Sequence, residues 1–99
     1  MTSYTVTPQA QEDIQDIWGY IAQDNPLAAD RVEAELYSAF DKLAGNPYLG
    51  HTRADLTDKP VRFWPLYSYQ VIYDPESRPL LILQILSGYR NIPALLEKP

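Results

Sequence analysis

The stretch that decides the fold is residues 7–47, TPQAQEDIQDIWGYIAQDNPLAADRVEAELYSAFDKLAGNP, in which prolines punctuate two apolar stripes. Thr7-Pro8 predicts a helix start: the Thr7 hydroxyl can cap, and proline suits the first helical position because its missing N–H would be unpaired there. Ala10, Ile14, Ile17, Trp18 and Ile21 then recur at spacings of three and four, one side of an amphipathic helix. Glu12, Asp13, Gln15, Asp16 and Gln23 fall on the opposite, outer face. Gly19 weakens the helix by about 1 kcal/mol relative to alanine, and its missing side chain suggests close approach of another backbone. Asp24-Asn25-Pro26 repeats the punctuation: Pro26 disfavours helical geometry at Asn25 and opens a second helix capped by it. That helix runs to about Ala44, with Ala28, Val32, Leu36, Ala39, Phe40 and Leu43 along one side, Gly45 as C-cap, and Asn46-Pro47 preventing continuation. So short a connection allows only an antiparallel helical hairpin.

On either side of this hairpin the period changes to two. Residues 3–7, rich in strand formers, predict a short strand before it. After an irregular connection over residues 46–60, Val61 to Trp64 predicts a strand ended by Pro65 at an edge or bulge. Leu66 to Tyr73 predicts a second, with Tyr67, Tyr69, Val71 and Tyr73 on one face. Residues 74–79 are a turn, and Leu80 to Leu86 is a strand apolar on both faces, hence central. Asn91 to Glu97 is a short terminal helix or tail. The expectation is a single α+β domain over residues 1–99, in the order β-α-α-β-β-β, with the hairpin on a small antiparallel sheet. The hairpin covers only one face of that sheet. The other must be shielded by aromatic side chains and the C-terminal segment, or by a partner seated in an apolar groove beside a sheet edge.

Length and composition agree with one modest core: 99 residues, 45% hydrophobic and 21% charged. No apolar run approaches the ~18–20 residues that span a bilayer, and the N-terminus has no secretory pattern, so the expected location is the cytoplasm. The absence of cysteine excludes disulfides, thiol nucleophiles and cysteine–zinc sites. Net charge is −5, which argues against direct nucleic-acid binding. The charge is uneven: residues 1–41 hold eight acids against Arg31 alone, whereas residues 42–99 hold seven bases against five acids. That division suggests either two faces with different partners or a solvated helical surface followed by a mixed sheet surface.

The inventory of reactive groups is thin. His51 is the only histidine, so neither a catalytic triad nor a multi-histidine metal site can be built conventionally. The four glycines are scattered and form no phosphate loop. What remains is Arg53, Arg62 and Arg90 near the ends of elements, where planar guanidinium groups suit phosphate or carboxylate recognition, or structural pairing with Asp55, Asp58 or the C-terminal carboxylate. No metal or small-molecule cofactor is implied.

The local patterns form an ordered series along the chain. It begins with Tyr4-Thr5-Val6-Thr7-Pro8-Gln9-Ala10 and Asp13-Ile14-Gln15-Asp16-Ile17-Trp18-Gly19-Tyr20-Ile21. It continues through Asn25-Pro26-Leu27-Ala28-Ala29-Asp30-Arg31, Gly50-His51-Thr52-Arg53-Ala54-Asp55-Leu56, Val61-Arg62 and Tyr69-Gln70-Val71-Ile72-Tyr73. It ends with Ile85-Leu86-Ser87-Gly88-Tyr89-Arg90-Asn91-Ile92. Taken in order, the series resembles the ParE-type toxins of bacterial toxin–antitoxin modules, within the ParE/RelE superfamily. The resemblance implies a plasmid-stabilisation toxin, not an enzyme, that acts on DNA gyrase and is neutralised by a ParD-like antitoxin whose C-terminal segment wraps it. RelE relatives instead cleave messenger RNA on the ribosome, for which the chain offers Arg53, Arg62 and Arg90 to hold phosphates, with Tyr89 and His51 as the candidate proton-transfer groups. A member that binds antitoxin without toxicity is a third reading.

On this basis target binding is expected at Arg62, Arg90, Ile92, Leu95 and Leu96, because the family's activity is associated with the end of its chain. Antitoxin contact is expected at Tyr67, Tyr69 and Tyr73 and at Leu81, Leu83 and Ile85. With a hairpin this negative, an antitoxin must meet mainly the sheet side or bring basic groups of its own.

Overall fold

A computed structural model describes residues 3–87; the expected terminal helix or tail lies outside them. The elements are strand β1 (Tyr4–Val6), helices α1 (Pro8–Ala22) and α2 (Pro26–Gly45), and strands β2 (Arg62–Leu66), β3 (Tyr69–Asp74) and β4 (Leu80–Ser87), in the expected order. Thr7 Oγ1 accepts from the Ala10 N–H at 3.1 Å and Asn25 Oδ1 from the Ala28 N–H at 3.1 Å, so both predicted caps form. At the other end of α2, Gly45 is the last helical residue and Asn46 is the cap, its N–H donating to the Lys42 and Leu43 carbonyls. Space is open around Gly19: a Cβ there meets nothing within 4 Å, so it serves no close backbone approach among the described residues.

The four strands lie in the order β1-β4-β3-β2, with β4 inside the sheet as its two apolar faces require. β2 pairs antiparallel with β3, and β3 with β4, but β1 lies parallel to β4, so the sheet is mixed rather than antiparallel. Hairpin turns dictate the antiparallel pairs. No turn constrains β1, which the helical hairpin and its following loop separate from the others.

Two local features alter the expected strand faces. The hairpin between β2 and β3 turns at Tyr67-Ser68, with Leu66 opposite Tyr69, so neither Leu66 nor Tyr67 belongs to β3. Between β3 and β4 the register slips: Ile72 pairs with Gln84, but Tyr73 pairs with Ile82. This bulge re-aims the side chains of β4. Leu80, Ile82 and Ile85 share the helix-facing core, whereas Leu83 and Leu86 pack on the far face.

The main core therefore joins Ala10 and Ile14 of α1, Leu36, Phe40 and Leu43 of α2, and Val71, Tyr73, Ile82 and Ile85 of the sheet. Opposite it, Val61, Phe63, Ile72 and Leu86 form a smaller cluster with half-buried Leu56 and Leu83. The chain thus shields part of its own second face with the loop that precedes β2.

Candidate interaction surfaces

One end of the sheet is organised by a buried hydroxyl. Tyr73, fully buried, donates from its Oη to the Pro47 carbonyl at 2.7 Å and accepts from the Gly50 N–H at 2.8 Å. Burial first, against weaker opposing effects from Gly50 and Arg62, raises its pKa and keeps the hydroxyl neutral. On the outside of the same loop, Arg62 donates from Nη1 to the Gly50 carbonyl at 2.7 Å and lies 5.0 Å from the centre of the Tyr48 ring. The Tyr48 hydroxyl donates to Glu76. Arg62, expected at a target interface, is thus also a clasp on the loop.

The other expected cations have equally specific surroundings. Arg53 forms a two-pronged pair with Asp55, 3.0 Å from Nε and 2.8 Å from Nη2, which raises the pKa of the arginine and lowers that of the aspartate. His51 joins its backbone to Phe63 in an isolated bridge, with N···O distances of 2.8 and 2.7 Å. Among the described residues no cluster of His, Asp and Glu is arranged to hold a metal ion. Arg90, Ile92, Leu95 and Leu96 lie outside the described residues.

The six residues expected to meet an antitoxin divide between core and surface. Tyr73 and Ile85 are core residues facing the helices, which corrects their assignment to a contact surface. Tyr69 is half-buried against the same core. Leu81 and Leu83 are half-buried in β4, with Leu83 packed on the far cluster. Tyr67, at 63% exposure, projects from the hairpin tip. It holds a φ of 56°, a left-handed value uncommon outside glycine. Hydrogen bonding to Glu35 of α2, with smaller contributions from desolvation and that carboxylate's charge, raises its hydroxyl pKa.

Sequence reasoning missed a third surface, where the free flank of β1 meets the helices. Tyr4, Val6, Gln11, Ile14, Gln15, Glu33 and Tyr37 line a cleft of about 370 Å³ there. Tyr4, Tyr37 and Phe40 form an aromatic cluster, the first two rings 6.5 Å apart and tilted at 41°. The signal was present in the sequence: Glu33, Tyr37 and Asp41 stand four apart and so share one face of α2. Asp13, expected on the outer face of α1, instead accepts from the Ile85 N–H of β4 at 3.0 Å.

Comparison with known proteins accords with this architecture. Residues 4–92 match the family model described as the ParE toxin of the type II toxin–antitoxin system, parDE. No curated protein matches the chain. Among solved structures, the chain is similar in fold to a protein of the chromosomal ParDE system from P. aeruginosa, with a TM-score of 0.69 and 21% identity, over 88% of this chain and 96% of that one.

Proposed function

The chain belongs to the ParE toxin family of type II toxin–antitoxin systems, and from that premise we propose that it arrests bacterial growth by binding DNA gyrase in the cytoplasm and is held inactive by a ParD-like antitoxin. The observation that carries the proposal is the family match over residues 4–92, a span that takes in every described element. The state of the arginines supports binding over catalysis: Arg53 is paired with Asp55, and Arg62 clasps a carbonyl and an aromatic ring. Phosphate cleavage in the RelE manner needs several free cations and a proton-transfer group converging on one point. No helix among the described residues is long and apolar enough to cross a membrane.

The proposed gyrase surface is Arg62, Arg90, Ile92, Leu95 and Leu96. The proposed antitoxin surface retains Tyr67, Tyr69, Leu81 and Leu83. Growth arrest should begin with DNA synthesis. After induction of the chain alone, pulse labelling should show DNA synthesis falling before protein synthesis, and purified gyrase should lose supercoiling activity until the antitoxin is added. Early collapse of protein synthesis with cleaved messenger RNA would replace this reading with the ribonuclease one. Antitoxin binding without any arrest would make the chain a non-toxic member.

A further inference from the structure

We propose that Tyr48, Arg62 and Arg78 form a site that holds a carboxylate side chain of the protein target, and that Glu76 of the same chain fills this site until the target arrives. The inference deepens the gyrase reading and rests on it for the identity of the partner. The place and the chemistry rest on the geometry of the loop after α2 and of the turn between β3 and β4.

Loop and turn meet at one side chain. Tyr48 is 51% exposed, and its hydroxyl donates to Glu76. The Arg62 guanidinium lies 5.0 Å from the centre of the Tyr48 ring. The Glu76 hydrogen bond, ahead of desolvation and that carboxylate's charge, raises the pKa of the hydroxyl, and the opposing pulls come from Arg78 and Arg62. Both guanidinium groups are therefore close enough to Tyr48 to act on it. Each is held by backbone oxygens through Nη1. Arg62 donates to the Gly50 carbonyl at 2.7 Å and, more weakly, to that of Tyr48 at 3.5 Å. Arg78 donates to the Pro75 and Ser77 carbonyls at 2.8 and 2.7 Å. Carbonyls fix the two cations without cancelling their charge. Among the described residues neither arginine is ion-paired, and Nε and Nη2 of both have no hydrogen-bond partner.

Chemistry selects the occupant. Two pre-positioned guanidinium forks beside a tyrosine hydroxyl match a carboxylate, which accepts charge-assisted bonds from both kinds of donor. Exposed tyrosine and arginine are also the residue types that carry much of the binding energy where proteins meet. Glu76 already places a carboxylate on the Tyr48 hydroxyl. Its side chain is exposed, and its backbone N–H is held separately by Asp74 at 2.9 Å, so the side chain can leave while the turn stays in place. A nucleic-acid strand is the poorer occupant, because it presents a row of phosphates that calls for a row of cations. Here Asp74 and Glu76 belong to the same turn as Arg78, which suits the exchange of one carboxylate for another. The hairpin adds direction: residues 1–41, with eight acids against Arg31, repel an acidic partner and leave this end of the sheet as its approach.

The test joins NMR titration of the full chain to gyrase inhibition by single variants. A hexaglutamate peptide should shift the Tyr48 ring signals and the Arg62 and Arg78 Nε–Hε signals saturably, and a thymidine hexanucleotide should need at least about tenfold more ligand. In supercoiling assays Arg78→Gln and Tyr48→Ala should each raise the inhibitory concentration by about tenfold or more, with thermal midpoints near that of the parent. Glu76→Ala should lower it by about threefold, because the resident acid is gone. Antitoxin affinity, measured by calorimetry, should stay within about threefold for all three variants. A parent that inhibits gyrase, with all three variants matching it, would overturn this inference and leave the gyrase reading intact. A parent that leaves gyrase active would overturn the gyrase reading, and the peptide titration then decides the site: no saturable shift overturns it as well. Tighter binding of the hexanucleotide would assign the site to phosphate and overturn the inference. Antitoxin affinity that falls while gyrase inhibition holds would assign the site to the antitoxin, with the same consequence.

Discussion

At the scale of single residues, the tightest constraints meet at Gly50. A Cβ there would stand 2.5 Å from the Tyr73 hydroxyl and 2.9 Å from the Phe63 carbonyl, and the second of these belongs to a hydrogen-bonded backbone that cannot yield. Gly50→Ala should therefore destabilise by about 1–3 kcal/mol through overpacking, measured by urea denaturation. Tyr73→Phe tests the other half of the arrangement. It keeps the ring but leaves the buried Gly50 N–H and the Pro47 carbonyl without their partner, at a cost of about 1–3 kcal/mol. Its pH dependence has a definite sign. The folded-state pKa of Tyr73 is raised above 10.0, so its contribution is whole below that value and drains as pH rises through the folded pKa, because the unfolded chain ionises first. Melting curves between pH 8 and 11 should show a steeper alkaline loss for the parent than for Tyr73→Phe. Arg62 is bound into this loop from outside. Loss of toxicity in Arg62→Ala can be credited to a target contact only if the loop survives, which Arg62→Lys helps to separate.

At the scale of elements, the attachment of α1 to β4 matters most. β1 covers only Leu80 to Ile82 of the longer central strand. Beyond it, side chains from the start of α1 take over. Thr7 Oγ1 caps the helix and also donates to the Leu83 carbonyl at 2.9 Å, and Asp13 accepts from the Ile85 N–H. Asp13→Ala should lose about 1–2 kcal/mol, and Asp13→Asn clearly less because its amide oxygen can still accept. Gly19→Ala should do the opposite: its Cβ enters open space on a helix, so stability should rise by about 0.8–1 kcal/mol in thermal or urea unfolding. These elements also mark what was legible in the sequence. Helix boundaries and caps were readable because Pro8, Asn25, Pro26 and Asn46-Pro47 act locally. The Tyr67-Ser68 turn was not, because a strained tyrosine occupies a place where glycine or asparagine gives the usual signal, and the alternation of apolar residues runs through it. The parallel pairing of β1 and the bulge in β4 depend on contacts between distant segments. Asp13 was read as an outer-face acid for the same reason: nothing local to α1 tells of the strand edge that its carboxylate meets. The clasp between Arg62 and Gly50 likewise joins residues that no local motif connects.

For the molecule as a whole, the separation of charge decides which kind of macromolecule it can approach. The acids of the first 41 residues lie mainly on the helical hairpin, whereas the described bases of the remainder, apart from Lys42 in the last turn of α2, belong to loops and strands, and several are already engaged. A nuclease must neutralise several phosphates at once, and each neutralised phosphate steepens the loss of affinity with salt. This chain offers a repulsive hairpin and, among the described residues, few unengaged cations, so its approach to RNA is opposed at long range, most strongly when screening is weak. A protein target imposes no such demand, since apolar contacts and a few arginines suffice. The purified chain should therefore show no retention of single-stranded RNA in filter binding at micromolar concentrations, at either 50 or 200 mM salt, while still inhibiting gyrase in the same buffers. RNA binding that is firm at the lower salt and falls by about tenfold or more at the higher would mean that cations concentrate on one face despite the net charge, and would return the ribonuclease reading to first place.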